Sequence, residues 1–249
     1  MTVTSRSPAR PLRLDDLLVE RGLVESRAKA RALILAREVR VDGAVAVAAA
    51  APTALDAALE LDGGPRYVSR GGEKLAHALQ RSGVTVQGAR CLDIGASTGG
   101  FTDCLLQHGA AHVTAVDVAY GELATRLRDD PRVEVRERTN ARSLAPLAEP
   151  VDLLTLDVAF ISLTAVLPAA LRSLRDGGEV LALVKPQFEA ARDEVPRGGV
   201  VQDATVHAAT VARVALWAID AGLRVRGVIR SPLLGPAGNR EFFLWLRKP

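Results

Sequence analysis

Between residues 90 and 185 the chain alternates short apolar runs with longer stretches of helical spacing, and that alternation admits few folds. The runs are "RCLDIGA", "HVTAVDV", "VEVRE", "VDLLTLDV" and "EVLALVK". Runs of this kind suit strands buried on both faces, as in a parallel sheet. Between them lie the helical stretches "FTDCLLQHG", "GELATRLRDD" and "SLTAVLPAALRSLRDGG". "TVHAATVARVALWAIDAG" follows, with Val211, Val214, Ala215 and Ala218 on one face. Repeated β–α units predict an α/β fold with a doubly wound open sheet, whose ligands bind beyond the carboxyl ends of the strands.

"CLDIGASTGGFTDCLLQHG" reads as strand, glycine loop, helix. Gly95, Gly99 and Gly100 let the backbone pass close to a ligand. The next strand ends in Asp117, 22 residues beyond Gly95. An acid at that distance can accept hydrogen bonds from both ribose hydroxyls, so the pattern calls for a nucleoside-containing cofactor. The dinucleotide fingerprint needs a glycine where Ser97 stands, and here Asp93 precedes the first glycine. "LDIGASTGGF" resembles the first motif of S-adenosylmethionine-dependent methyltransferases. That resemblance implies S-adenosylmethionine as cofactor, with Asp93, Gly95, Ser97, Gly99, Gly100 and Phe101 around its methionine part, Asp117 at its ribose and Asp157 beside it. The tail agrees: "RVRGVIRS", a loop "PLLGPAGN" and "EFFLWLRK" match the reversed hairpin that ends such a Rossmann-like sheet.

Four further residues fall at comparable places. Asp157 ends the fourth strand, Lys185 ends the fifth, Glu241 opens the last, and Lys74 lies on the helix before the first. Singly these read as a capping Asp, a surface Lys, a flanking Glu and a helix-surface Lys. At strand ends around one cleft they become a candidate catalytic set. Lys185 also stands out by composition, as one of four lysines among 32 basic residues. The set resembles the Lys-Asp-Lys-Glu tetrad of FtsJ-type RNA 2'-O-ribose methyltransferases. From about residue 12 onward the chain resembles the TlyA family, once labelled haemolysins, through "VSRGGEKL", "DIGASTGGFTDCLLQHGAAHVTAVDVAYGEL", "DPRVEVRERTNAR", "DLLTLDVAFISLTAVLPA", "LVKPQFEA", "GGVVQD" and "SPLLGPAGNREFFLWL".

The resemblance implies 2'-O-methylation of cytidine in 16S and/or 23S ribosomal RNA, and an influence on sensitivity to ribosome-targeting peptide antibiotics. A ribose hydroxyl is a weak nucleophile, so a base must take its proton. A lysine that is desolvated and crowded by another cation can do so, which suits Lys185 beside Lys74. Asp157 would orient Lys185, Lys74 would stabilise the developing oxyanion, and Glu241 would hold Lys74 or the ribose. The cofactor's sulfonium supplies the leaving group, so no metal is expected.

Upstream, "LDDLLVERG" and "RAKARALILARE" predict two helices, the second capped by Ser26 with Ala28, Ala32, Leu35 and Ala36 inward. "VRVDGAVAV" predicts a hairpin around Asp42-Gly43. The first forty residues hold nine basic side chains against five acidic ones, which suits a nucleic acid, although charge runs more often lie on a solvated helix face. "RLDDLLVERGLVESRAKARALILAREVRVDG" resembles the RNA-binding domain named after small-subunit ribosomal protein S-four. The resemblance implies RNA contacts from Arg13, Arg27, Lys29 and Arg31. The expected organisation is a flexible arm over 1–11, this α+β domain over 12–62, a linker over 63–69 and the methyltransferase domain over 70–249.

Composition narrows the alternatives. The chain has 249 residues, 48% of them apolar, and a formal charge of +3. Cys91 and Cys104 fall inside apolar segments and read as buried thiols in a reducing compartment. No export signal or membrane element is recognisable, which disfavours a pore-forming haemolysin. A vestigial methyltransferase fold that only binds RNA would have lost a loop glycine or one of the four polar residues, and all are present. Ser97 and the terminal hairpin disfavour a nicotinamide-dependent oxidoreductase. The expectation is therefore a cytoplasmic monomer acting on ribosomal RNA or ribosomal subunits.

Overall fold

The computed structural model describes residues 11–61 and 66–249. Most of the arm expected over 1–11, and residues 62–65 at the domain boundary, lie outside the described residues. The chain divides into two compact units, Met1–Arg66 and Tyr67–Pro249.

The first unit begins with β1 (Leu12–Arg13), α1 (Leu14–Glu20) and α2 (Arg27–Leu35). Then come β2 (Val39–Val41), β3 (Ala44–Val45), β4 (Pro52–Thr53) and β5 (Leu59–Leu61). Ser26 caps α2, its hydroxyl accepting the Lys29 N–H. Asp42 (φ 49°) and Gly43 (φ 80°) both lie in the left-handed region, as a tight two-residue hairpin turn requires. Leu14, Leu18, Ala30, Leu33, Ile34 and Val39 form the core. This corrects the face expected for α2: Leu35 is 87% exposed, and Ala28, Ala32 and Ala36 face solvent. Alanine recurs along the helix, so spacing alone fits more than one phase. The larger Leu33 and Ile34 bury more apolar surface and decide it.

The second unit opens with α3 (Arg70–Ser82), β6 (Arg90–Ile94), α4 (Gly100–Gln107), β7 (His112–Val116), α5 (Thr125–Arg128) and β8 (Val133–Arg136). It continues with β9 (Val151–Leu156), α6 (Leu163–Ala170), β10 (Leu174–Val184), α7 (Pro186–Glu189), α8 (Ala204–Asp220), β11 (Arg224–Arg230) and β12 (Phe242–Arg247). Seven strands form one sheet in the order β11-β12-β10-β9-β6-β7-β8. The five central and far strands are parallel, whereas β12 runs antiparallel to both β10 and β11. Two apolar clusters cover the faces, one built with α3 and α4, the other with α6 and α8. All five apolar runs are strands and the tail is the reversed hairpin. Two helices are shorter than their spacing suggested. The one expected to run through Gly178 ends at Ala170, and β10 starts at Leu174, paired with Val151. The one expected in "GELATRLRDD" keeps a single turn.

Candidate active site

The carboxyl ends of β6, β9 and β10, the amino end of β12 and the first turn of α3 surround a cavity of about 450 Å³. Ser69 caps α3, accepting the Gly71 N–H, and points its first turn at this cavity. Lys74 sits one turn further in, 6% exposed, and its Nζ donates to Glu241 Oε2 at 2.6 Å. Glu241 is 1% exposed, and its Oε1 has no hydrogen-bond partner. Lys185 Nζ lies 2.5 Å from Asp157 Oδ1, an ion pair outside hydrogen-bond alignment. The structure thus brings the four expected residues together, but as two lysine–carboxylate pairs. A buried acceptor left unpaired is costly, and Glu241 Oε1 is suited to a hydroxyl or amino donor entering the cavity.

A second cavity, of about 560 Å³, shares Gly95 and Ser97 with the first and continues past Asp117 to Asn140 and Phe160. Gly95 has φ 81°, and a Cβ there would meet the Asp157 carbonyl oxygen at 2.3 Å. Ser97 also adopts positive φ (47°). Its N–H donates to Asp117 Oδ2 at 2.8 Å, while Oδ1 accepts the Ala119 N–H. Each carboxylate oxygen keeps a further acceptor position, so Asp117 can still bind two hydroxyls. The donor and acceptor set, the glycine bend and the cavity size fit a nucleoside cofactor.

Of the residues expected around the cofactor, Asp93 and Gly99 line neither cavity, and several have packing roles of their own. Asp93 lines neither cavity; it is fully buried, with Thr102 and Thr155 donating to its two oxygens at 2.7 and 2.9 Å. Burial pushes its carboxyl up to about 6 against the pull of those hydroxyls. It ties β6 to α4 and β9 and so fixes the loop from behind. At Gly99 (φ 98°) a Cβ would strike Leu127 and Leu123, and at Gly100 the Ser69 hydroxyl at 2.2 Å. Gly100 and Phe101 do line the first cavity. Phe101 is 3% exposed and stacks on Phe243, with centroids 5.8 Å apart.

Several site residues went unread in the sequence. Arg70 lines the first cavity and donates to the Leu234 carbonyl. Thr139, Asn140 and Arg142 line the second, from the loop after β8. Phe160, at φ 62° and 91% exposed, stands 5.0 Å from Phe188. A bulky residue in that backbone region and out in solvent signals a local function; only the fold reveals it.

In the first unit, Asp15 is fully buried and gathers three of the four expected RNA contacts. Arg13 forks onto both its oxygens at 3.0 Å, Arg31 Nε donates at 2.8 Å, and Arg27 lies 3.5 Å away while pairing with Asp16 at 2.8 Å. Arg13, and with it Arg31, holds the Asp15 carboxyl well below the usual carboxylate range against the opposing effect of burial. The three guanidinium groups remain about half exposed. Among the described residues the Lys29 ammonium has no ion pair.

A model of FtsJ-like methyltransferases matches residues 67–248, and an S4 domain model matches residues 12–47. The chain is 50% identical over 243 residues to the 16S/23S rRNA (cytidine-2'-O)-methyltransferase TlyA of Mycobacterium tuberculosis, covering 96% of this chain and 91% of that protein. It is 38% identical to a protein of Brachyspira hyodysenteriae named Hemolysin A, covering 93% and 98%. A solved structure from Streptococcus thermophilus, provisionally named a hemolysin, shares 40% identity at a TM-score of 0.72 and covers 96% and 90%.

Proposed function

The chain belongs to the FtsJ-like methyltransferase family, in its TlyA branch, and from that membership we propose that it methylates the 2'-hydroxyl of cytidine in ribosomal RNA. It is an rRNA (cytidine-2'-O)-methyltransferase and its cofactor is S-adenosylmethionine, which when bound supplies an electrophilic methyl on a sulfonium. Gly95, Ser97 and Asp117 hold that cofactor across the two joined cavities. The observation that carries the reading is the convergence of Lys74, Asp157, Lys185 and Glu241 on one cavity at the strand ends.

Lys185, once its ammonium has released a proton to solvent, accepts the proton of the attacking hydroxyl. Asp157 fixes its Nζ and stabilises the ammonium that forms. Lys74, anchored by Glu241, faces the oxygen as it gains negative charge. Glu241 Oε1, which has no protein partner, accepts a hydrogen bond from a ribose hydroxyl. Phe160 offers an exposed ring against which a nucleobase can stack. Arg13, Arg27, Lys29 and Arg31 meet RNA phosphates, the three arginines held ready by Asp15 and Asp16. Such an enzyme works where ribosomal subunits are, in the cytoplasm. Its modification would alter sensitivity to antibiotics that bind the ribosome there.

Among the described residues no helix is long and apolar enough to cross a membrane. The test is to map 2'-O-methyl groups on 16S and 23S RNA from ribosomal subunits incubated with the protein and S-adenosylmethionine. New 2'-O-methylcytidine is expected. Methyl groups only on bases, or none, would remove the assignment.

A further inference from the structure

The loop after β9 and the turn after β10 leave adjacent parallel strands and run side by side. Three contacts join them in order. Lys185 Nζ meets Asp157 Oδ1 at 2.5 Å. The ring of Phe188 lies 5.0 Å from that of Phe160. Glu189 closes the series: its Oε1 accepts the Leu163 N–H at 2.7 Å and its Oε2 accepts the Ser162 hydroxyl at 2.6 Å. Glu189 is 6% exposed and does not line the cavity that holds the four catalytic candidates. From the far side, the Arg213 guanidinium of α8 donates to its backbone carbonyl.

This carboxylate serves α6 by taking the Leu163 N–H, a first-turn donor with no partner inside the helix, but that is not all it does. Ser162 already caps α6, accepting the Thr164 N–H at 3.2 Å. A buried carboxyl is costly to place, and burial pushes the Glu189 carboxyl above the usual range. What its two bonds add is a tie between the segment bearing Asp157 and Phe160 and the segment bearing Lys185 and Phe188.

We propose that Glu189 is a positioning residue for methyl transfer: by clamping Ser162 and Leu163 to the turn that follows Lys185, it holds the Asp157–Lys185 pair and the Phe160–Phe188 face in working geometry. The proposal rests on the roles given to Lys185 and Asp157 above. A displacement of about 1 Å at a reacting centre can cost about 10²-fold in rate.

The experiment uses the full chain, ribosomal subunits and S-adenosylmethionine. Glu189→Ala should slow single-turnover methylation by about 10–100-fold. Cofactor affinity by calorimetry and half-saturation by ribosomal subunits should stay near wild type. Glu189→Gln keeps an oxygen for the Leu163 N–H and gains an amide that can donate to Ser162 Oγ, so it should recover most of the rate. In a Lys185→Arg background Glu189→Ala should add little, because residues acting through one another are not additive. The clamp is overturned if Glu189→Ala turns over like wild type, if it slows both backgrounds by the same factor, or if melting temperature and cofactor affinity fall in step with the rate. An inactive wild type would instead remove the catalytic reading of Lys185, and Glu189's role with it.

Discussion

Lys185 is held by a carboxylate at the mouth of a strand in a chain that otherwise uses arginine for 28 of its 32 basic side chains. Arginine keeps its proton at any working pH, and its planar fork fits poorly in a site shaped for an ammonium. Lys185→Arg should therefore lower methyl transfer by about 10²–10⁴-fold while leaving cofactor affinity nearly unchanged. Near-wild-type single-turnover rates would take Lys185 out of the mechanism. Asp93 makes a prediction of another kind. Its carboxyl rises from an ordinary 3.8 to about 6 on folding, so between those values the folded chain keeps a proton that the unfolded chain has lost. The stability contributed by Asp93 should then fall as pH rises from about 4 to 6, by about 3 kcal/mol. Asp93→Asn should flatten that slope in melts taken across the range. Three of the four polar residues around the cavity were legible because each ends or opens a strand, and the fourth, Lys74, because it stands on the helix before the first of them. The inward direction of Asp93 was not legible, because a carboxylate beside a glycine loop looks the same in sequence whether it faces outward or inward. Glu189 and Phe160 carried no local signal, since their roles depend on two loops meeting.

At the level of elements, strands were easier to read than helices. A run such as "VDLLTLDV" buries both faces, so recognising it as a strand does not depend on phase. In α2 it does, and recurrent alanine hid the phase until Leu33 and Ile34 set it. The same helix presents Arg27 and Arg31 to solvent, half neutralised by Asp15 and Asp16. If these arginines meet phosphate, Arg27→Ala with Arg31→Ala should weaken RNA binding. The log–log salt dependence should also flatten by about one to two units, the yield of two lost phosphate contacts. An unchanged slope with a folded protein would move the RNA contact elsewhere. β10 was read short at its start because "LRDGG" resembles a helix end. Gly177, at φ 73°, in fact lets the strand bulge between its first pairing at Leu174 and its next at Glu179.

On the scale of the whole molecule, two compact units with separate cores predict separable tasks. A protein comprising residues 67–249 should fold, bind S-adenosylmethionine like the full chain, and lose most of its RNA affinity. Equal methylation of ribosomal subunits by the shortened protein would show that the first unit does not direct targeting. In the sequence the basic helical head and the change to β–α repeats suggest two segments, and the structure divides between Arg66 and Tyr67. The order of synthesis adds a consequence that rests on β12. This strand lies between β10 and β11, hydrogen-bonded to both, and carries Glu241 at its amino end. It leaves the ribosome after every other strand of its sheet. Until it inserts, β10 and β11 have no pairing partner between them, and Lys74 lacks its counter-charge. On the roles proposed for Lys74 and Glu241, the strand that is synthesised last in the sheet is therefore also the one that completes the catalytic set.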